Sequence, residues 1–487
     1  MGFNTLLLSL ATLPLLAKSE TVLGVYIFHR HGDRTPKSLP PVNLTALGAD
    51  EAFQSGSFYR SRYVASDASA PIVGLSSDIA VPSQLNVVSP SDSVLQSSAL
   101  AFLQGIYPPA GELSMSVLAN SSEVQAPLGG YQYIPVTTSA TASTSTNAES
   151  NEWLQGGSGC GNAVVSSNNY FSSSSYLSTL SQTKTFYSDL LPVINTTFSA
   201  SQATFKNAYT IFDYVNVATI HNASIPGEEL LTSETLRQLR TRADEHEFNL
   251  AFNASEPIRA IAGATLAAQV VQQLNATLSG GGATPPPLGI QFGAYASFLS
   301  FFGLARLHEV SDDFTGVVDY ASSMVFELVT NASDAARPVD ASEVAVRFLF
   351  ANGTAAANPL TPFPLFGTGE TVLPWERFAE EMGRFAVGDT AAWCVACGNT
   401  TGQCAAVGAA GSSSGNDAAN GGGDGGNGIS LPVAGVIGAL VTLVVILAVE
   451  GLVYALAGLK LVKKSALAAG AAAGAAGTGG EAAGSKA

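Results

Sequence analysis

The sequence predicts an α/β fold with a mainly parallel sheet, an α-helical insert and a C-terminal transmembrane helix. The uninterrupted apolar run 22–28 is typical of a strand buried on both faces of a parallel sheet. A second short strand, 288–292, precedes a helical pattern at 296–307, and strands alternating with helices indicate an α/β sheet. Helical spacing of apolar residues at 181–191 and 233–248 predicts a helical insert between the two strands.

Two further segments complete the predicted elements. Residues 256–274 have the apolar spacing of a helix that leads into the second strand. Residues 371–382 fit a short strand followed by a helix, with Pro374 at the helix start, where a missing N–H costs nothing. We therefore expect an α/β core on both sides of a helical cap that covers about residues 110–255.

The composition excludes several classes of protein. The chain has 487 residues, of which 12% are charged, about half of the usual ~25%. Its formal net charge of −16 argues against a partner that presents a phosphate backbone, so no nucleic-acid partner is expected. A hydrophobic content of 46% is too high for a disordered chain, and four cysteines are too few for a small disulfide scaffold.

The two ends predict the topology. The apolar run 6–16 is too short to span a bilayer and predicts a signal peptide over 1–17, the alternative being a buried first strand. Residues 430–458 include 19 consecutive uncharged residues and predict a transmembrane helix. Three lysines follow it, so the positive-inside rule predicts a single-pass type I membrane protein with its ectodomain outside the cell.

The remaining segments follow from this topology. Residues 18–407 form the expected ectodomain, 408–429 a flexible Gly/Ser linker and 459–487 a cytoplasmic Ala/Gly-rich tail. Nine N-x-S/T sequons lie between the two apolar ends, which agrees with secretion. They are Asn43, Asn120, Asn195, Asn222, Asn253, Asn275, Asn331, Asn352 and Asn399.

The four cysteines predict disulfide bonds. Cys394, Cys397 and Cys404 form a cluster, and Cys160 is distant in sequence. A zinc site is the alternative, but an oxidising compartment and the lack of a nearby histidine favour disulfides, and no metal is expected. Three pairings can be drawn; we expect one bridge within the cluster and one to Cys160.

One motif carries the chemistry. The first strand runs into Arg30-His31-Gly32-Asp33-Arg34-Thr35-Pro36, at the carboxyl end of a strand, where α/β proteins bind ligands. Guanidinium groups grip phosphate, and an imidazole between them can attack phosphorus. The alternative, a solvated polar turn, leaves this arrangement unexplained. The predicted nucleophile is His31, with Arg30 and Arg34 as phosphate-binding residues.

This motif resembles the signature of the histidine acid phosphatases, branch 2 of the histidine phosphatase superfamily, which includes phytases. Ser98-Ala99 with the 105–109 segment Gly-Ile-Tyr-Pro-Pro, the segment 261–266, and 374–382 are similar to further family segments. The resemblance implies a phosphoglycerate-mutase-like α/β sandwich with an α-helical cap. It also implies hydrolysis of phosphomonoesters through a phosphohistidine, without a metal or other cofactor.

The chain departs from the family pattern at two places. The position of the family's third phosphate-binding arginine falls on Val94. The family's His-Asp pair falls on Gln291-Phe292, counted without gaps. Gln291 can still donate a hydrogen bond to phosphate, but a phenylalanine cannot protonate a leaving alcohol, which is the role of the family's aspartate.

Two other places in the sequence offer a candidate for the missing acid. Asp33 is a candidate because it lies in the loop itself, the alternative being a carboxylate that pairs with Arg34 or caps a helix. His308-Glu309 is a displaced candidate pair. It follows the predicted helix 296–307, so about 18 Å of helix rise separates it from the end of the 288–292 strand. Residues 245–247, Glu-His-Glu, are expected to form a solvated helix face.

Two functions follow. The first is a weak or specialised extracellular phosphomonoesterase anchored to the membrane by one C-terminal helix, with a phosphomonoester as substrate. The second is an inactive pseudophosphatase that binds phosphate or another ligand at the cell surface. Loss of a general acid costs ~10²–10⁴ in rate, and aryl phosphates, whose leaving groups need little protonation, would suffer less.

Overall fold

The computed structural model describes residues 20–138, 159–221, 224, 226–279, 286–332, 339–405 and 407. The predicted signal peptide, linker, transmembrane helix and cytoplasmic tail lie outside these residues. Within the described ranges, no helix combines the length and the apolar character needed to cross a membrane.

The core contains a seven-stranded sheet in the order β2-β5-β1-β6-β7-β8, with β9 paired to β7. β1, β5 and β2 are parallel, whereas β6 to β9 pair in antiparallel fashion, so the sheet is mixed and not mainly parallel as the sequence predicts. A separate hairpin joins β3 and β4. The strands are β1 (Thr21–Arg30), β2 (Leu85–Val88), β3 (Met115–Val117), β4 (Glu123–Gln125), β5 (Leu288–Gly293), β6 (Ser323–Thr330), β7 (Val344–Ala351), β8 (Thr361–Pro362) and β9 (Val372–Pro374).

Helices flank the sheet and fill the segment between β4 and β5. In chain order they are α1 (Ala46–Tyr59), α2 (Ser93–Ile106), α3 (Pro127–Gly130), α4 (Gly161–Asn169), α5 (Ser174–Gln182), α6 (Lys184–Asp189), α7 (Leu191–Ile194), α8 (Ala208–Ile220), α9 (Ser233–Ala251), α10 (Ile261–Ser279), α11 (Tyr295–Leu304), α12 (Trp375–Gly383) and α13 (Thr390–Cys397). Residues of α5 to α9 surround an apolar cluster of their own.

The first strand is buried on both faces, as its uninterrupted apolar sequence predicts. Because side chains alternate along a strand, Tyr26 and Phe28 pack against α10 and α11 on one face. Val25 and Ile27 pack against α1 and α2 on the other face. This two-sided packing fixes the carboxyl end of β1, where the 30–36 loop begins.

The disulfide pattern agrees with the expected one. Cys394 pairs with Cys404 inside the cluster, and Cys160 pairs with Cys397. Because all four sulfurs are in disulfides, no thiolate is left for the alternative zinc site. The long-range bridge joins α13 to the start of α4, which ties the helical segment to the C-terminal end of the core.

The 245–247 segment is not the solvated helix face that the sequence predicts. The His246 side chain is buried against the rings of Tyr170 and Phe205, which belong to the helical segment. Glu247 accepts a hydrogen bond from the Tyr295 hydroxyl at 2.7 Å, which connects α9 to the start of α11. The prediction is wrong because these polar side chains on α9 contact other helices of the protein. Their polarity alone does not show that they face solvent.

Candidate active site

A tight approach of α1 and α2 shapes the 30–36 loop. The Gly32 N–H donates a hydrogen bond to Ser98 Oγ on α2 at 3.2 Å. Glycine is required at position 32 because a Cβ atom there would lie 2.0 Å from the Gly48 carbonyl oxygen on α1. Ser98, the first residue of the Ser98-Ala99 pair that the sequence analysis identifies, therefore contacts the loop backbone directly.

Replacing Gly32 by alanine is expected to destabilise the fold by about 1–3 kcal/mol and to displace the loop, since the backbone of α1 must move to admit the methyl group. The matched control is Gly383→Ala at the end of α12, where a Cβ would meet nothing within 4 Å. Urea unfolding of both variants measures the difference. Equal stability of the two would show that α1 does not constrain the loop.

His31 is buried with its imidazole oriented by the loop backbone. Its side chain is in a residue only 1% exposed, and Nδ1 lies 2.8 Å from the Gly32 carbonyl oxygen. A carbonyl oxygen only accepts, so Nδ1 carries the proton and Nε2 of the neutral ring keeps its lone pair. Burial, with the charges of Arg30 and Arg34 adding to it, holds the pKa of His31 well below its ordinary value of 6.5.

Arg30 lies between two tyrosine rings. Its guanidinium carbon is 4.6 Å from the centre of the Tyr320 ring and 5.5 Å from that of Tyr295. Its Nη1 donates to the Val318 carbonyl oxygen, and its buried Nε has no hydrogen-bond partner. The Tyr320 ring also lies 5.7 Å from that of His31, so this tyrosine contacts both residues of the predicted site.

Arg34 is fully buried and paired with a carboxylate that the sequence analysis did not identify. Its Nη2 donates to Asp213 Oδ1 at 2.8 Å and its Nη1 to Asp213 Oδ2 at 3.2 Å. Nη2 also donates to the Tyr209 hydroxyl at 3.1 Å, and Nη1 to the Thr35 carbonyl oxygen at 3.0 Å. Of its donors, only the buried Nε has no partner. Asp213 on α8 therefore binds the two terminal nitrogens of the guanidinium group that the sequence assigns to phosphate.

A lysine contributes the third positive charge of the site. Val94, at the position of the family's third arginine, is buried in the first turn of α2. Lys37 Nζ lies 5.7 Å from the ring centre of Tyr209 and 5.6 Å from that of Tyr295. Its charge also helps to lower the pKa of His31, which places a cation near the imidazole from the other end of the loop.

Asp33 forms a pair with a histidine on the helical segment. Its carboxylate is fully buried, and Asp33 Oδ2 lies 2.6 Å from Nε2 of His221, the residue that follows α8. The same oxygen accepts from Thr45 Oγ1 at 2.5 Å, while Oδ1 is buried without a partner. Asp33 therefore pairs with His221 and Arg34 with Asp213, contrary to the alternative that joined Asp33 to Arg34.

Gln291 is not placed beside His31. It lies opposite Phe28 in the pairing of β1 with β5, three residues before His31 and so roughly 10 Å away along the strand. Its Oε1 accepts from the Tyr26 hydroxyl. Phe292 points to the opposite face of the sheet, where it packs in the apolar cluster with α1 and α2.

The end of β5 that adjoins the loop carries no carboxylate. Arg30 pairs with Gly293, and Ala294 and Tyr295 follow at the start of α11. The end of β5 therefore lacks the family's aspartate in the structure as well as in the ungapped count. The ungapped count itself is displaced, because Gly293-Ala294 and not Gln291-Phe292 lie level with the loop.

His308-Glu309 is also outside the site. The pair lies in a short 3₁₀ turn after α11, where Glu309 binds Arg306 and His308 contacts the rings of Phe248 and Phe252. These contacts explain both residues without catalysis.

Comparison with family models decides the relationship. The model described as histidine phosphatase superfamily, branch 2, matches residues 39–351. The chain belongs to this family. The match begins just after the 30–36 loop, so it supports the family from the rest of the sequence, independently of the motif. A comparison with curated protein sequences found no significant match.

The chain is also similar to solved structures of phytases. The phytase of Citrobacter braakii is 14% identical with a TM-score of 0.50, covering 76% of this chain and 98% of the phytase. The apo phytase of Hafnia alvei is 13% identical with a TM-score of 0.49, covering 78% and 98%. At these identities the Citrobacter likeness supports the fold alone.

A second buried histidine, His29, is expected to make the stability of the fold sensitive to acid. His29 is fully buried, and burial lowers its pKa to about 4 although Nδ1 bonds the Arg30 carbonyl oxygen. Above pH 6.5 the ring is neutral in both the folded and the unfolded chain, so His29 has no effect there. Below pH 6.5 the unfolded chain takes up a proton that the folded chain refuses until about pH 4.

Stability is therefore expected to fall by roughly 3 kcal/mol between pH 6.5 and 4 through His29 alone. Urea unfolding across this range measures the free energy of unfolding at each pH. The control is His29→Gln, which should lose about 3 kcal/mol less than the wild-type protein between pH 6.5 and 4. Equal slopes in the two proteins would contradict the assignment, whatever the carboxylates contribute to both.

Proposed function

We propose that this histidine phosphatase is an extracellular, membrane-anchored phosphomonoesterase that acts through a phosphohistidine at His31. The observation that carries the proposal is the orientation of His31, whose Nδ1 is held by the Gly32 carbonyl oxygen at 2.8 Å. This bond leaves the Nε2 lone pair available, and the depressed pKa keeps it unprotonated at mildly acidic pH. Surface labelling of intact cells tests the extracellular placement.

The proposed reaction has two displacements at phosphorus. In the first, the Nε2 lone pair forms a bond to phosphorus, the ester P–O bond breaks, and the alcohol leaves with a proton from an acid. In the second, water attacks the phosphohistidine and gives a proton back to that acid, which now acts as a base; the P–N bond breaks and inorganic phosphate leaves. The proton given to the alcohol in the first step is recovered from water in the second. Neither step needs an oxidant or a reductant, and water is the only co-reactant.

Arg30 and Arg34 are proposed to bind the transferred phosphoryl group. Each has a buried Nε–H without a hydrogen-bond partner, and a buried unpartnered donor is expensive unless a ligand satisfies it. Two donors aimed at the same anion stabilise charge that develops in the transition state. Lys37 supplies further positive potential.

The leaving-group proton is proposed to come from the Asp33–His221 pair. A histidine hydrogen-bonded to a carboxylate at 2.6 Å can donate a proton and be re-protonated from solvent. His221 is 35% exposed, so it has access to water, while Asp33 lies only two residues after the nucleophile. The sequence analysis proposed Asp33 for this step but did not identify His221.

A second function is favoured by the state of Arg34. Its two terminal nitrogens are occupied by Asp213, Tyr209 and Thr35, and the strand end beside His31 lacks a carboxylate. These features suit a pseudophosphatase that binds a phosphate-bearing ligand without turning it over.

Trapping the covalent intermediate separates the two functions. The full-length protein in detergent is mixed with an aryl phosphate labelled at phosphorus and quenched in alkali, in which phosphohistidine persists. The enzyme proposal expects label on the peptide that contains His31, together with release of phosphate. Reversible binding of phosphate with no label and no release, in a folded protein, would establish the binding protein instead.

A further inference from the structure

A cavity of about 310 Å³ lies at the β2 edge of the sheet, beneath α10. Of the described residues that line it, none carries a charge and five carry an amide side chain: Asn86, Gln269, Gln272, Gln273 and Gln291. Gln291 is the residue that the sequence assigned to phosphate, and it belongs to this cavity and not to the 30–36 loop. The cavity therefore needs an explanation of its own.

Three of the amides are fixed by hydrogen bonds through their nitrogens. Asn86 Nδ2 donates to Gln273 Oε1 at 2.8 Å, and Gln273 Nε2 donates in turn to the Pro286 carbonyl oxygen at 2.6 Å. Gln272 Nε2 donates to the Gly388 carbonyl oxygen at 2.9 Å. These bonds orient the amides and leave Asn86 Oδ1 and Gln272 Oε1 as acceptors.

Gln291 adds a buried donor. The residue is only 2% exposed, and its Oε1 accepts from the Tyr26 hydroxyl, so its Nε2 is the end that remains. This Nε2 is buried and has no hydrogen-bond partner. Buried polar atoms are nearly always satisfied, and leaving one unsatisfied destabilises the protein. A bound molecule that accepts a hydrogen bond from Gln291 would remove this penalty.

The chemistry of the lining defines the ligand. An ion is disfavoured because no charged side chain would compensate for its desolvation. Hydroxyl groups both donate and accept, which matches two amide acceptors and one amide donor, while Val88 and Ala276 offer apolar contacts to C–H groups. The volume equals that of about ten water molecules, enough for one six-membered ring with its hydroxyls.

We propose that this cavity binds a neutral ring polyol of the size of one hexose. The site is separate from His31 and does not depend on phosphatase activity. The amide of Gln291 anchors the ligand from the sheet, and Gln272 on the exposed face of α10 contacts it from the rim.

Saturation-transfer NMR on the full-length protein in detergent tests the proposal, with glucose and myo-inositol as probes. Both Gln291→Met and Gln272→Met are expected to weaken binding about tenfold, the effect of one lost hydrogen bond. Gln272 is exposed, so its variant keeps the fold even if Gln291→Met does not. The matched control is Gln182→Met on α5, an exposed glutamine of the helical segment, which should leave binding unchanged.

The possible results separate cleanly. Transfer to either probe that weakens in both cavity variants and persists in Gln182→Met and in His31→Ala supports the site. No transfer to either probe, or equal transfer in the Gln272→Met and Gln182→Met proteins, would overturn it. Binding of inorganic phosphate, measured by broadening of its phosphorus-31 NMR line, that is lost in Gln272→Met would overturn the neutral character of the ligand. Failure of the phosphatase proposal leaves all these results unaffected.

Discussion

Replacing His31 by alanine is expected to lower kcat for an aryl phosphate by about 10⁴-fold or more, because the variant lacks the proposed nucleophile. The substitution removes the Nε2 lone pair and also the hydrogen bond to the Gly32 carbonyl oxygen. Steady-state release of phosphate measures the effect. His31→Asn is a second variant, since its amide can keep a hydrogen bond to the loop without offering a nucleophile.

The control for this experiment is His308→Ala. His308 lies after α11 among phenylalanine rings and outside the site, so its removal should leave kcat unchanged. A His31 variant that folds normally and retains turnover would contradict the nucleophile assignment. Equal background release in the wild-type and His31→Ala proteins would identify a binding protein.

Replacing His221 by asparagine is expected to slow turnover of an alkyl phosphate by about 10²–10⁴-fold while changing an aryl phosphate far less. The reason is that an alkoxide leaving group needs a proton in the transition state and a phenoxide hardly does. Asp33→Asn should show the same selectivity, because the amide no longer holds the imidazole at 2.6 Å. The ratio of kcat/KM for the two esters is the measurement.

The selectivity distinguishes proton donation from a structural role. A pair that only braces the loop would slow both esters equally, since the nucleophile would be displaced for both. Thr45→Val provides the matched comparison, because it removes the other hydrogen bond to Asp33 Oδ2 but leaves His221 in place. A uniform loss in the His221 and Thr45 variants would contradict the acid assignment.

Local signals in the sequence predicted the core of the fold. The apolar run 22–28 became β1, because a strand that is buried on both faces has an uninterrupted apolar sequence. The predicted strand 288–292 became β5 although it contains the polar Gln291. The sheet's mixed character was not predictable from the same signal, since β6 is buried along its whole length although it is antiparallel to β1. Burial reveals that a strand is central but not its direction.

The site was predictable only where its residues are contiguous. Arg30, His31 and Arg34 belong to one heptapeptide at the end of one strand. Asp213 and His221 lie about 180 residues later on an apolar helix, and their contacts with the loop depend on how α8 packs. Tyr209 lies one turn before Asp213 on the same face of α8, the one pattern that could have drawn attention to this helix.

The carboxylate of Asp213 has a consequence for ligand affinity. A phosphate that reaches the guanidinium fork of Arg34 meets a resident anion that already occupies it in bidentate fashion. Phosphate therefore competes with Asp213 for the Arg34 guanidinium. The apparent dissociation constant for phosphate equals the intrinsic one divided by the fraction of molecules in which Asp213 has left the guanidinium. Movement of α8 away from the loop would raise affinity without altering any residue of the heptapeptide. The strength of the proposed phosphate binding would then depend on the helical segment as much as on the loop.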